Sequence, residues 1–361
     1  MMPMSMDSND IKDSSYNRYD LYDDGEDSSS FRRQEFFYPP QQPQAPIDFS
    51  WYPWAAQAGI ILNDDDYPAM APNESKILVE MLVPELKGKG GILANKDLLT
   101  DEVICRIPRS MVLSSKDLSP AALKAVLNVK QSTWCADLTA ATLSVLYDWD
   151  ESDNYRESKQ DWMGTWCYGY GWGTLMDDLG TKIWNAVEGN LMASNKSVQQ
   201  SASLTLSLLT KARRDKALHA LTVRSRHYHN MGYALAPLVK EPSKRLHSDG
   251  SIKQRQAWDV ADVMSHVLAR VTTIQGSGAD VGLQHCVVPI HCRLSHDETP
   301  NTQLLVSGDE ILMVATRKIK EGEPLTRNYL SDGPAIDGDV STGSLRLLTQ
   351  FGLLPPNSSS R

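Results

Sequence analysis

The 361-residue chain is 41% hydrophobic and 22% charged, an ordinary globular composition with room for one large domain or two smaller ones. Its net charge of −9 argues against a surface built to coat nucleic acid, whose phosphates select basic faces. No apolar run approaches the roughly 20 residues that span a bilayer, and five scattered cysteines read as thiols of a reducing compartment, not as a disulfide framework.

The N-terminus carries no basic patch followed by an apolar stretch, so no secretory signal is expected and an intracellular protein is. Residues 1–48 are polar, serine-rich and acidic (Asp7, Asp10, Asp13, Asp20, Asp23, Asp24, Glu26, Asp27). Such a segment cannot bury enough apolar surface to offset its ordering entropy, which predicts a disordered tail. Order is expected from Phe49-Ser-Trp51 onward. Ile77 to Val83 reads as a strand, Gly88-Lys-Gly-Gly91 as a tight turn, and Gly91 to Ala94 and Val103 to Pro108 as further strands.

One sentence of the sequence occurs twice. Ala94-Asn-Lys-Asp-Leu-Leu-Thr-Asp-Glu102-Val-Ile104 matches Ala315-Thr-Arg-Lys-Ile-Lys-Glu-Gly-Glu323-Pro-Leu325. Both read as strand, basic residue, polar turn, Glu, strand. Two such units at opposite ends predict one sheet-rich domain closed by its own termini, with something inserted between.

The insert changes period. Leu138, Ala141, Thr142, Val145, Leu146 and Trp149 fall on one helical face, and Val260, Val263, Met264, Val267, Leu268 and Val271 repeat the pattern. Leu204 to Tyr233 is also expected to be mostly helical, and its basic residues (Lys211, Arg213, Arg214, Lys216, Arg224, Arg226) read as a solvated face or as a surface for an acidic substrate. Strand signals return at Cys286 to Ile290. Leu304 to Val306 and Ile311 to Ala315 form a hairpin about Ser-Gly-Asp-Glu, and Pro324 to Tyr329 reads as a last strand. His285-Cys286, His291-Cys292 and His296 supply ligand types for a metal, but their spacing is not that of a zinc finger and no metal site is expected.

In their order these pieces resemble the SET-domain protein methyltransferases, in particular the branch typified by Rubisco large-subunit lysine methyltransferase. The resemblance rests on Gly88-Lys-Gly90-Gly91-Ile-Leu-Ala94, Asp101-Glu102 and Ile107-Pro108, then on Val288-Pro-Ile290, Ser295-His296 and Pro300-Asn301. It continues through Ala315-Thr-Arg317, Gly322-Glu323 and Asn328-Tyr329, and closes at Phe351-Gly352. It covers about residues 50 to 355.

The resemblance implies an α+β protein: a SET-type β fold of short strands over 49–355, a mostly helical insert at about 118–275, and a polar tail at 356–361. It implies methyl transfer from S-adenosyl-L-methionine to a lysine of a non-histone protein, with histidine as another acceptor known in the branch. Tyr329 would be the catalytic tyrosine. Gly88, Lys89, Gly90, Arg270, Ser295 and His296 would bind the cofactor, and Arg270, Cys292 and Phe351 would face the substrate. A protein substrate is implied; nucleic acid and membrane are not. Members of the branch continue into a helical substrate-binding domain that this sequence does not show. Three positions depart from the pattern: Ser295 stands for Asn, Cys292 for a frequent Asp, and Leu330 for the Gly after the tyrosine, with an added Ser331–Val340 loop. These departures hold a second reading open, a non-catalytic SET-like module that binds a protein partner.

Overall fold

The computed structural model describes residues 51–62, 79–81, 92–94, 96–129, 133–148, 156–167, 211–240, 251–275 and 282–351. The tail expected over 1–48, the Gly88-Lys89-Gly90 turn and the polar end at 356–361 lie outside the described residues.

Helix α1 (Trp51–Gln57) opens the described chain, followed by strands β1 (Val79–Met81), β2 (Ile92–Ala94) and β3 (Val103–Pro108). Among the described residues the helices that follow are α2 (Pro120–Val126), α3 (Thr133–Tyr147), α4 (Arg156–Cys167), α5 (Lys211–Leu235) and α6 (Ile252–Arg270). The chain returns to strands with β4 (Thr272–Gln275), β5 (Leu283–Cys286), β6 (Ser295–His296), β7 (Thr302–Ser307), β8 (Glu310–Ala315) and β9 (Thr326–Arg327). It ends in the short α7 (Tyr329–Asp332) and α8 (Gly343–Phe351). This is the expected α+β alternation, with helices set between two groups of short strands.

The repeated sentence is a repeated structure. In the first unit Lys96 pairs with Glu102 at 3.0 Å, and the Glu102 carboxylate also accepts from the Leu99 N–H at 2.8 Å. In the second, Arg317 pairs with Glu323 at 2.6 Å, and Glu323 accepts from the Lys320 N–H at 3.1 Å. The residue before each glutamate is left-handed, Asp101 at φ 64° and Gly322 at φ 78°.

The units bind each other reciprocally. The Ala94 N–H donates to Glu323 O at 3.0 Å as the Ala315 N–H donates to Glu102 O at 3.0 Å. The Gly322 N–H donates to Ala94 O at 2.7 Å as the Asp101 N–H donates to Ala315 O at 2.8 Å. Leu98 and Ile319 exchange both backbone bonds between them, at 2.8 and 3.1 Å. The match thus closes the sheet part by local two-fold pairing, and β3, β8 and β7 extend it as an antiparallel sheet in that order.

A buried clip holds β9 in place. Asn301 is fully buried; its Oδ1 accepts from the Thr326 N–H at 2.7 Å, and its Nδ2 donates to Pro324 O at 2.8 Å. The strand so held pairs in parallel with β6, Ser295 opposite Thr326 and His296 opposite Arg327.

Among the helices, α6 starts with a capping box: Ser251 and Gln254 bond each other's backbone N–H at 3.3 and 3.0 Å. Helix α3 is buried on nearly all sides between α2, α4 and α6, not on the single face its periodicity suggests. The basic stretch on α5 is split. Lys211, Arg213, Lys216 and Arg226 are exposed, whereas Arg224 is buried and pairs with Asp339 at 3.7 Å. That pair, with a 2.8 Å bond between His227 and Asp337 O, docks the added loop onto α5.

Two strand expectations shift. The strand expected over Cys286 to Ile290 lies earlier, as β5, because Val288 to Ile290 turns into a 3-10 helix at His291–Arg293. The strand expected to end at Tyr329 ends at Arg327. Asn328 Oδ1 accepts from the N–H groups of Leu330 and Ser331 at 3.0 and 3.3 Å, so Asn328 caps α7 and Tyr329 becomes its first residue.

Candidate active site

Tyr329 stands where β9, β6, α6 and α8 meet, and is 1% exposed. Its hydroxyl donates to Leu294 O at 2.8 Å, and its N–H donates to His296 Nδ1 at 3.2 Å. Its ring lies 4.8 Å from that of Phe351 and 5.2 Å from that of His296, and the Arg327 guanidinium carbon sits 4.7 Å from the ring centre. Leu347, with half-buried Leu330, completes the apolar side. Burial, opposed by the charges of Arg327 and Arg270, pushes the phenol above its ordinary range, so it stays protonated and can donate.

Arg270 ends α6, where a cation complements the helix dipole. Its guanidinium donates to His266 O at 3.3 Å and meets His266 Nδ1 at 3.0 Å, while the other nitrogen of that ring faces Asp262 at 3.6 Å. Asp262, His266 and Arg270 thus form a line at four-residue spacing. Burial first, then the Arg270 and Arg293 charges, hold His266 neutral.

Cys292 is buried on the 3-10 helix beside this line; burial raises its thiol against the pull of Arg293, Arg270 and Arg327. The fold therefore gathers Tyr329, His296, Phe351, Arg270 and Cys292, and places Ser295 next to them on β6. Gly88, Lys89 and Gly90 lie outside the described residues, although β2, which follows them, bonds directly to the strand leading into β9, Leu325 N–H to Ile92 O at 2.8 Å.

Arg327 was not anticipated. It is 1% exposed and donates to Val271 O at 3.3 Å and Ala269 O at 3.4 Å, the carbonyls on either side of Arg270. Two residues before the tyrosine, it reads in sequence as one more polar strand residue. Asp262 and His266 were not anticipated either, although their four-residue spacing ahead of Arg270 on the helix expected there is a signal that could have found them.

The histidines and cysteines weighed as metal ligands point to separate places. His285 meets Thr273 Oγ1 at 3.1 Å and the Trp134 ring at 5.5 Å, His291 faces Asp332 at 3.8 Å, and His296 faces Tyr329. Burial raises the Cys286 thiol to about 12. Among the described residues no group of three His, Cys, Asp or Glu side chains is placed to hold a metal ion. Toward the tip of the β4–β5 hairpin, away from Arg270, a cavity of 430 Å³ is lined by residues that include Lys116, Trp134, Asp137 and His285.

A buried tyrosine just past two short parallel strands, beside an arginine-ended helix, defines the core of a SET-type fold. The SET-domain family model matches residues 89–330, well over half of the sequence, and the chain belongs to that family, a family of protein methyltransferases. No curated protein matches the chain. Among solved structures it is similar to the LSMT SET domain bound to lysine and AdoHcy (14% identity, TM-score 0.48, 85% of this chain and 56% of that one). It is also similar to Rubisco LSMT bound to sinefungin and monomethyllysine (14%, TM-score 0.46, 87% and 57%). The chain thus spans little more than half the length of those proteins. Among the described residues no helix is long and apolar enough to cross a membrane.

Proposed function

We propose that this protein transfers a methyl group from S-adenosyl-L-methionine to a lysine of a non-histone protein, in the manner of the Rubisco large-subunit methyltransferase branch. The observation that carries the reading is the environment of Tyr329: a protonated buried phenol flanked by a backbone carbonyl, an aromatic wall and two guanidinium groups. The chemistry fits such a cofactor, since Arg327 Nε and His291 Nδ1 are buried with no hydrogen-bond partner among the described residues. Arg270, Ser295 and His296, with the Gly88-Lys89-Gly90 turn, are the residues assigned to hold it. When bound, it supplies a sulfonium methyl for in-line displacement.

The chain's own residues supply positioning and fixed dipoles. The Tyr329 hydroxyl oxygen and Leu294 O can each accept from an N–H of the reacting amine, which leaves its lone pair free to attack, and Phe351 walls its alkyl stem. The amine must attack as the neutral base. Burial, together with the like charges of Arg270 and Arg327, lowers the pKa of an ammonium group there and favours that form.

A second reading, a non-catalytic module that binds a protein partner, draws on one observation: the Tyr329 hydroxyl is already engaged by Leu294 O, beside Leu330 in place of glycine. Incubating the protein with methyl-labelled S-adenosyl-L-methionine and a cell lysate separates the two. Label on a lysine of discrete proteins supports the enzyme; cofactor binding without any transfer supports the module.

A further inference from the structure

Helix α7 is a single turn, and a single turn has little stability of its own, so the place of Tyr329 is set by what grips its two ends. Asn328 caps the front. The back is gripped by α8. Arg346 donates from Nη1 to Leu330 O at 3.4 Å, from Nη2 to Gly333 O, and from Nε to Gln350 Oε1 at 2.9 Å. Fully buried Gln350, one turn further on, donates to Pro334 O and to Leu268 O of α6, both at 3.1 Å. At Gly333 the chain runs so close to the C-cap of α6 that a Cβ would meet Val271 O at 3.2 Å. Burial lowers the Arg346 guanidinium from its ordinary value, and Asp339, which also pairs with Arg224 of α5 at 3.7 Å, offsets part of that cost.

The same helix supplies an apolar grip. Leu347 and Phe351 follow Arg346 and Gln350 in sequence and pack with Tyr329, whose ring lies 4.8 Å from that of Phe351. One face of α8 therefore holds the tyrosine ring, and the adjacent face holds the backbone just after it. The three carbonyls so held, those of Leu330, Gly333 and Pro334, belong to the stretch where this sequence departs from the family pattern. A planar guanidinium suits the task, because its donors reach several acceptors at fixed angles.

We propose that Arg346, braced by Gln350, is a positioning residue for Tyr329: it ties the added loop to α8 so that the ring stays against Phe351 with its hydroxyl at Leu294 O. The consequence for turnover rests on the methyl-transfer reading above; the placement of the ring does not. Arg346 itself touches neither cofactor nor substrate and acts through the backbone of α7.

The test uses the full chain as wild type, R346M, which keeps an apolar stem and drops every bond, and R346K, which keeps the charge and one donor and serves if R346M does not fold. Each is studied well below its own unfolding temperature. Three quantities are read: nitration of Tyr329 by tetranitromethane, followed by peptide mass spectrometry; S-adenosylhomocysteine affinity by calorimetry; and transfer of labelled methyl to lysate proteins at saturating cofactor. Tyr329 should be protected in the wild type and nitrated in R346M, with R346K between them. Transfer should fall by roughly ten- to hundredfold in R346M, the cost of a displaced reacting group, with S-adenosylhomocysteine affinity unchanged. A folded R346M with Tyr329 still protected and transfer intact would mean that Arg346 only stabilises α8, and equal losses of affinity and transfer would mean general damage; either overturns the proposal. A wild type that transfers no methyl overturns the methyl-transfer reading instead, and the nitration contrast then still decides whether Arg346 places the tyrosine.

Discussion

Replacing Tyr329 by Phe removes one oxygen and little else. The ring contacts with Phe351 at 4.8 Å, His296 at 5.2 Å and Arg327 at 4.7 Å do not involve the hydroxyl and are retained. The lost bond to Leu294 O at 2.8 Å is worth about 1 kcal/mol net, and leaving that carbonyl unpaired brings the cost to about 1–3 kcal/mol. The protein therefore stays folded, with a modestly lower melting temperature. Its affinity for S-adenosylhomocysteine is unchanged, because the groups assigned to the cofactor are intact. Transfer of labelled methyl to lysate proteins drops by about 10²-fold or more, the usual effect of deleting one placed hydrogen-bonding group in an active site. Equal transfer rates in wild type and Tyr329→Phe would refute the catalytic role of the tyrosine. A large loss of stability would instead refute the packing argument.

Three further outcomes follow from the fold. Asp101 occupies the left-handed position that Gly322 fills in the matching turn, so Asp101→Gly should stabilise by roughly 0.5–1 kcal/mol and Gly322→Ala should destabilise by about 1 kcal/mol, read from urea midpoints. Asn301→Ala strands a buried N–H and a buried carbonyl and should cost about 2–4 kcal/mol; a change under about 0.5 kcal/mol would show that the clip does not hold β9. Buried His266 and His291 are held neutral, with folded values well below 6.5. Their contribution is complete above pH 6.5 and is lost as pH falls toward the folded values, because the unfolded chain takes up protons the native state refuses. Glu323, lowered from 4.5, adds the same sign in stronger acid, while Asp332, raised from 3.8, partly opposes it. Stability should fall from about pH 7 to about pH 5, and a flat or rising profile would contradict the burial of the two histidines.

Much of the fold was legible because it rests on local rules. The two strand-turn-strand units declare themselves through a basic residue and a glutamate at fixed spacing, and that spacing is what lets each glutamate close its own turn. The α6 face follows from its period, whereas its start, the Ser251–Gln254 capping box, went unread. What failed was the competition between signals at one position. Pro324 to Tyr329 has strand chemistry throughout, yet the Asn328 side chain captures two N–H groups and starts a helix there. Long-range charge was not legible either. Nothing local tells that Arg224 is buried against Asp339, far later in the chain, while Arg226 beside it is exposed. Arg327 is the same case at the site: its two carbonyl partners are more than fifty residues away in sequence.

The central claim is that this fold still holds its cofactor despite Ser295 and Leu330. Calorimetric titration of the purified full chain with S-adenosyl-L-methionine and S-adenosylhomocysteine tests it most directly. Saturable binding of one molecule of each per chain is the predicted result. A folded protein that binds neither would contradict the claim and leave the partner-binding module as the reading that stands.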